Sequence, residues 1–211
     1  MAKPTTVKEA IKKFEETSGL NASEAEKVEL WGQVPPIEKM DATLSTLKAC
    51  SHVSLSTNNI EKISSLSGMD NLKVLSLGRN QIKKIENLDG VADTLEELWV
   101  SYNVLEKLAG IEKLTNLRVL FASNNKIKEW MEVERLSVLE SLEELLLVGN
   151  PIYNEAKEAG TTPEYRIEVI KRLPNLKKLD GIPVDVDEKE AAEAARNAAL
   201  LYGCRRSRVS T

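Results

Sequence analysis

An α/β solenoid, with a parallel sheet on its concave face and helical caps at both ends, is the fold this sequence predicts. Three observations carry the prediction. Five segments superimpose on one template: CSHVSLSTNNI from Cys50, LKVLSLGRNQI from Leu72, LEELWVSYNVL from Leu95, LRVLFASNNKI from Leu117 and LEELLLVGNPI from Leu142, with starts that step by 22, 23, 22 and 25 residues. An asparagine recurs at the ninth position of each, as Asn58, Asn80, Asn103, Asn125 and Asn150. Between segments the apolar residues fall every third position, as in Ile60, Ile63, Leu66, Met69 and Leu72, or Leu105, Leu108, Ile111, Leu114 and Leu117. That spacing suits short 3₁₀ or helical turns returning the chain along the convex side.

The template L-x-x-L-x-L-x-x-N-x-L is the leucine-rich-repeat pattern, and five tandem matches lift it far above chance alternation. Each repeat supplies one short strand and one return segment and cannot bury its apolar face alone, so stacking makes the core. Side chains alternate along a strand, which turns positions 4 and 6 inward and positions 3, 5 and 7 toward the open sheet face. Strands are predicted around residues 53–55, 75–77, 98–100, 120–122 and 145–147. The asparagine sits where the chain leaves the strand, and its short amide can bond backbone groups left unpaired there. A feature repeated with the fold serves the fold, so this series is structural rather than catalytic.

A solenoid needs covered ends. Residues 1–24 hold TVKEAIKKF, with a capping box of Thr6 and Glu9 and an apolar stripe of Val7, Ala10, Ile11 and Phe14; this helix is the N-terminal cap. The repeat domain spans 25–184. It opens on a degenerate repeat, AEKVELWGQVPPI, with Gln33 in the asparagine slot, and closes with TPEYRIEVIKRLPNLKKL. There Pro163 follows Thr162 at a helix start, Ile167, Ile170 and Leu173 share a face, and a last strand is expected around Leu176 and Leu179. Residues 185–211 read as an acidic helix start, an alanine-rich body and a basic tail, with too few large apolar residues for a core, hence a projecting helix.

Composition limits the function. A chain of 211 residues can bury about 70% of its unfolded surface without disulfide or metal. Its formal charge of −4 gives a field that favours neither nucleic acid nor an acidic membrane. Cys50 and Cys204 obey no metal or redox spacing, and Cys50 stands where its counterparts are leucines, as a buried free thiol of a reducing compartment would. No stretch approaches 18 apolar residues and the N-terminus has no apolar leader, so a cytosolic origin is expected. His52, the one histidine, falls on the open face with no evident partner for acid–base work. Phosphate loops, zinc spacings and nucleophile elbows are missing, so no enzyme, cofactor or metal is expected.

Binding has better support. Trp99 stands at position 5, which puts the largest side chain of its repeat on the open face, where alternation predicts exposure. The same slot holds Phe121 and Leu146 in the next two repeats, and strands about 4.8 Å apart make these three a continuous stripe. Val74, Val119 and Val148 broaden it, and Arg79 and Tyr102 are counted with the same surface. An uncovered apolar patch of a few hundred Å² usually marks a partner site, the alternative being that a loop or the C-terminal helix folds over it. Burying the three large side chains removes roughly 400 Å² of apolar surface, on the order of 10 kcal/mol gross, much of which offsets the entropy of association.

The runs PPIEKMDATLSTLKAC at 35–50, LSTNNIEKISSLSGM at 55–69, LSLGRN at 75–80, DTLEELWVSYN at 93–103 and YRIEVIKRLPNLKKLDGIPVDVDE at 165–188 go beyond the repeat consensus. Over roughly 25–188 they resemble the leucine-rich-repeat light chains of axonemal outer-arm dynein. The resemblance implies a non-catalytic subunit that binds a dynein heavy chain at the microtubule-binding stalk of its motor region and regulates ciliary or flagellar beating. Its place would be the cytoplasm and cytoskeleton of the axoneme, with neither nucleic acid nor membrane as partner. It implies that the apolar sheet face holds the partner, which matches Val74, Trp99, Phe121 and Leu146. The chain departs from that pattern in the loop 153–162 and beyond about 190, where Arg205, Arg206 and Arg208 in the tail are candidates for contact with an acidic surface such as tubulin. Two other repeat classes share the architecture: a phosphatase regulatory subunit, expected to carry acidic and aromatic residues over a longer array, and a spliceosomal adaptor, expected to present basic residues near RNA.

Overall fold

The computed structural model describes residues 3–207, with side chains described to residue 198. Helix α1 (Val7–Ser18) begins with the predicted capping box: the Glu9 N–H donates to Thr6 Oγ1 at 3.2 Å and the Thr6 N–H to Glu9 Oε2 at 2.8 Å. Val7, Ala10 and Ile11 are buried and Phe14 packs half-buried beside them, so this face closes the first repeat.

Seven parallel strands follow: β1 (Lys27–Glu29), β2 (His52–Ser54), β3 (Val74–Ser76), β4 (Glu97–Trp99), β5 (Val119–Phe121), β6 (Glu144–Leu146) and β7 (Lys178–Leu179). The degenerate first repeat supplies β1. Register holds throughout, aligning Val28, Val53, Leu75, Leu98, Leu120, Leu145 and Leu179 in one buried row. Position 6 forms a second buried row of Leu30, Leu55, Leu77, Val100, Ala122 and Leu147.

The strands lie one residue earlier than predicted. At position 6 the N–H still pairs, as in Leu77 to Trp99 O at 2.8 Å, but the carbonyl turns to the asparagine amides. Ladder pairing therefore stops at position 5. Each interior asparagine donates to the position-6 carbonyls of its own and the preceding repeat, and its Oδ1 accepts from an N–H of that preceding repeat. Gln33 does not join this series; it is half-exposed and bonds Trp31 O and Lys13 at the surface.

The C-terminal end is more helical than predicted. Two short helices, α2 (Trp130–Arg135) and α3 (Pro151–Glu158), occupy stretches read as a convex return and a loop. Helix α4 (Thr162–Arg172) buries Tyr165, Val169 and Ile170, whereas Ile167, expected on the same face, is only half-buried. The sheet does not end wholly parallel. Asp180 and Gly181, at φ 52° and 80°, form a tight turn that folds β8 (Ile182–Pro183) back antiparallel onto β7. Left-handed φ at both central residues is what a two-residue hairpin needs, and Asp-Gly supplies it.

Helix α5 (Val186–Ser207) starts on a second capping box, with Glu188 N–H to Asp185 Oδ1 at 2.8 Å and Asp185 N–H to Glu188 Oε2 at 3.1 Å. The sequence predicts a projecting helix, but its first turns lie on α4. Glu188, Ala192 and Arg196, spaced by four, share the face that docks. Ala192 is buried, Arg196 Nε donates to Lys171 O at 3.2 Å, and the buried Arg166 of α4 holds Glu188 (Nη2 to Oε2, 2.9 Å) and Leu179 O (2.8 Å). Small alanines allow this flat approach without a large apolar residue.

Candidate partner-binding face

Strand register brings Ser54, Ser76, Trp99, Phe121 and Leu146 into one row across the open face, and His52, Val74, Glu97, Val119 and Glu144 into the next. The indole of Trp99 stacks on Phe121, with ring centroids 5.8 Å apart and planes at 28°. Its other side meets the imidazole of His52 edge-on, at 5.4 Å and 81°. His52 stands two strands away, about 10 Å at ordinary strand spacing. The indole therefore leans across β3. Ser76, paired with Trp99 in register and only 6% exposed although it faces outward, leaves room beneath the ring. The indole N–H donates to Glu97 Oε2 at 2.9 Å.

Alternation alone predicts a nearly free Trp99. The ring is in fact half-buried, because its neighbours on three strands wrap it. Phe121, Leu146, Val74, Val119 and Val148 are half-buried as well. Arg79 and Tyr102 stand beyond the strand ends, at position 8, with left-handed φ of 56° and 58°. Both are exposed, and the Arg79 guanidinium sits over the Tyr102 ring at 4.4 Å. The side chains of Arg205 and Arg206, and all of Arg208, lie outside the described residues.

Charges frame this face in pairs. Lys27 meets Glu29 and Lys178 meets Glu144, each at 2.9 Å. Along position 2, Lys73, Glu96, Arg118, Glu143 and Lys177 alternate in sign, with contacts of 3.0, 4.0, 3.1 and 2.7 Å. Exposed pairs of this kind add little stability; their alternating signs satisfy one another along that rim. Burial, and then Lys27, lower the pKa of His52, which keeps the imidazole neutral at neutral pH. Burial raises the thiol pKa of Cys50, a buried free cysteine as expected.

The face offers apolar surface, hydroxyls and one indole–carboxylate pair for contact. Ser56, at position 7, links the two serines of the row, lying 2.7 Å from Ser76 and accepting from Ser54 at 3.4 Å, and among the described residues no hydrogen bond joins His52 to a hydroxyl or carboxylate. No group of three His, Cys, Asp or Glu among the described residues could hold a metal ion. No helix among them is long and apolar enough to cross a membrane. Sequence reasoning missed Trp31, which is 58% exposed at position 7 of the first repeat. Carrying the template back through that repeat places it on the open face. It also missed Glu97 as the acceptor that fixes the indole.

A family model described as leucine-rich repeat matches residues 7–121. Dynein axonemal light chain 1 of Chlamydomonas reinhardtii is 71% identical over 196 residues, covering 93% of this chain and 99% of that protein. The chain belongs to the axonemal dynein light chain 1 family. The Danio rerio protein of that name is 57% identical and the Homo sapiens one 52%, each over 90% of this chain and 97% or 98% of its own. Both the family name and the repeat name indicate a non-catalytic protein. Among solved structures, the chain in a Drosophila melanogaster SNF/U2A' complex aligns with a TM-score of 0.52 at 22% identity, covering 83% of this chain and 87% of that one. A Listeria monocytogenes internalin aligns at 0.58 and 23%, covering 81% and 46%. Likeness at such identity concerns the fold alone.

Proposed function

We propose that the chain is a light chain of an axonemal dynein that binds a heavy chain through its sheet face, at the microtubule-binding stalk of the motor region, and thereby regulates ciliary or flagellar beating. The observation that carries this reading is the Trp99–Phe121–Leu146 row, set in one register and flanked by Val74, Val119, Val148, Tyr102 and Arg79. Two fixed aromatic rings lose little conformational freedom on binding, and clustered aromatics are where interface energy concentrates. Among the described residues helix α5 packs mainly on α4 rather than on the sheet. The names of the relatives give the complex, a dynein, and the place, the axoneme. The family favours this reading over a phosphatase subunit or a spliceosomal adaptor.

Affinity capture with the tagged full chain from ciliary extract tests it. Recovery of a dynein heavy chain is the expected result. Recovery of a phosphatase catalytic subunit or a ribonucleoprotein, with no heavy chain, contradicts it. Contact between the arginine tail and tubulin belongs to the same proposal: deleting 204–211 should reduce microtubule co-sedimentation of the complex at low salt, and no change removes tubulin from the scheme.

A further inference from the structure

Among the described residues of strands β1–β7 that face the open side, Glu97 is the carboxylate left without an ion-pair partner. Lys27 is taken by Glu29, Lys178 by Glu144, and Arg79 lies on Tyr102. Glu97 stands at the centre of the face and is half-buried. Its Oε2 accepts from the Trp99 indole, and among the described residues no Lys, Arg or His lies within ion-pair distance of it. Its neighbours in the position-3 row are Val74 and Val119, which offer it nothing polar. Once a partner covers this face and removes water, an unpaired carboxylate there weakens binding unless a counter-charge arrives with the partner.

We infer that the segment docking on this face carries a lysine or arginine that pairs with Glu97 Oε1 beside the Trp99 ring, so that Glu97 selects partners by charge while the aromatic row supplies contact area. The inference rests on the functional reading above and adds the chemistry of the partner. The indole N–H holds Oε2 of Glu97, and among the described residues Oε1 accepts no hydrogen bond. His52, kept neutral, brings no competing positive charge on the other side of the ring. A partner with an acid in place of the base would meet like charge, which is how such a site rejects wrong ligands.

The test uses the full chain, the recombinant microtubule-binding stalk domain of a dynein heavy chain, and calorimetric affinity at low and high salt. Glu97→Gln keeps a carbonyl acceptor for the indole and removes only the charge. It should melt like the wild type, bind at least about tenfold more weakly at low salt, and approach the wild type as salt screens the pair. Glu144→Gln, whose carboxylate already faces Lys178, should change affinity less than threefold. Charge reversal, Glu97→Lys, should abolish binding and recover it against a stalk domain whose contacting base is changed to glutamate. Equal affinity and equal salt dependence for Glu97→Gln and the wild type overturn the inference while leaving the functional reading intact. Failure of the wild type to bind the stalk domain overturns both.

Discussion

Replacing Asn103 by alanine removes one rung from the asparagine series, and the structure says which groups suffer. The Asn103 amide donates to Leu77 O and Val100 O, each at 3.0 Å, and its Oδ1 accepts from the Ile82 N–H at 2.9 Å. The two carbonyls keep a second donor, because Asn80 also bonds Leu77 O and Asn125 also bonds Val100 O. The Ile82 N–H keeps nothing. The loss is thus one stranded buried donor, about 1–3 kcal/mol, plus a smaller share for two carbonyls reduced to one bond each. A total near 2–3 kcal/mol lowers the melting temperature of a chain this size by roughly 4–12 °C. Asn103→Asp sharpens the test, since it keeps the acceptor for Ile82 but turns a carboxylate toward two carbonyls, and should destabilise more than alanine. Thermal and denaturant unfolding of both variants, beside partner affinity of the folded protein, is the assay. An unchanged midpoint with lost binding would show that Asn103 belongs to the site and refute the structural assignment.

Leu98→Ala, one residue from Trp99 but fully buried, should cost about 2–5 kcal/mol of stability and leave affinity of the folded fraction unchanged, as measured by denaturation and titration. Gly110 holds φ 100°, and a Cβ there would stand 2.1 Å from Ile85 O, so Gly110→Ala should destabilise by about 2 kcal/mol or more in the same denaturation assay. Acid should loosen α5. The hydrogen bond from Arg166 lowers the pKa of Glu188 below the ordinary 4.5, so its stabilisation is complete above 4.5 and is lost as pH falls through the depressed value. Proteolysis of the α5 segment should rise over that acid range in the wild type, and at all pH values in Glu188→Gln.

Much of this molecule is legible in its sequence because repetition multiplies weak signals. One leucine says little, but Leu75, Leu98, Leu120 and Leu145 at a fixed template position define a register, and the register orders the face. The candidate site follows by alternation, without any knowledge of side-chain contacts. Alternation could not supply the lean of the indole, which depends on a serine in the preceding repeat and a histidine one repeat further back. Nor does it distinguish a free ring from one held by Glu97. The ends are harder still, since no repeat averages out their irregularity. The docking of α5 uses a buried Arg166 whose partners are spread over residues 179–188, together with Ala192 and Arg196. The Asp180-Gly181 hairpin lies outside the template, which repeats parallel strands and has no place for an antiparallel one.

The central claim is that the aromatic row of the sheet face holds a dynein heavy chain. The most direct test is the dissociation constant of Trp99→Ala for the heavy-chain stalk domain, measured on protein shown to be folded. Since the ring is half-buried against Phe121 and His52, the variant should lose about 1–2 kcal/mol of stability and stay folded at 25 °C. Its affinity should fall by about 2–4 kcal/mol, the effect of truncating a central aromatic anchor. Wild-type affinity in the folded variant would contradict the account.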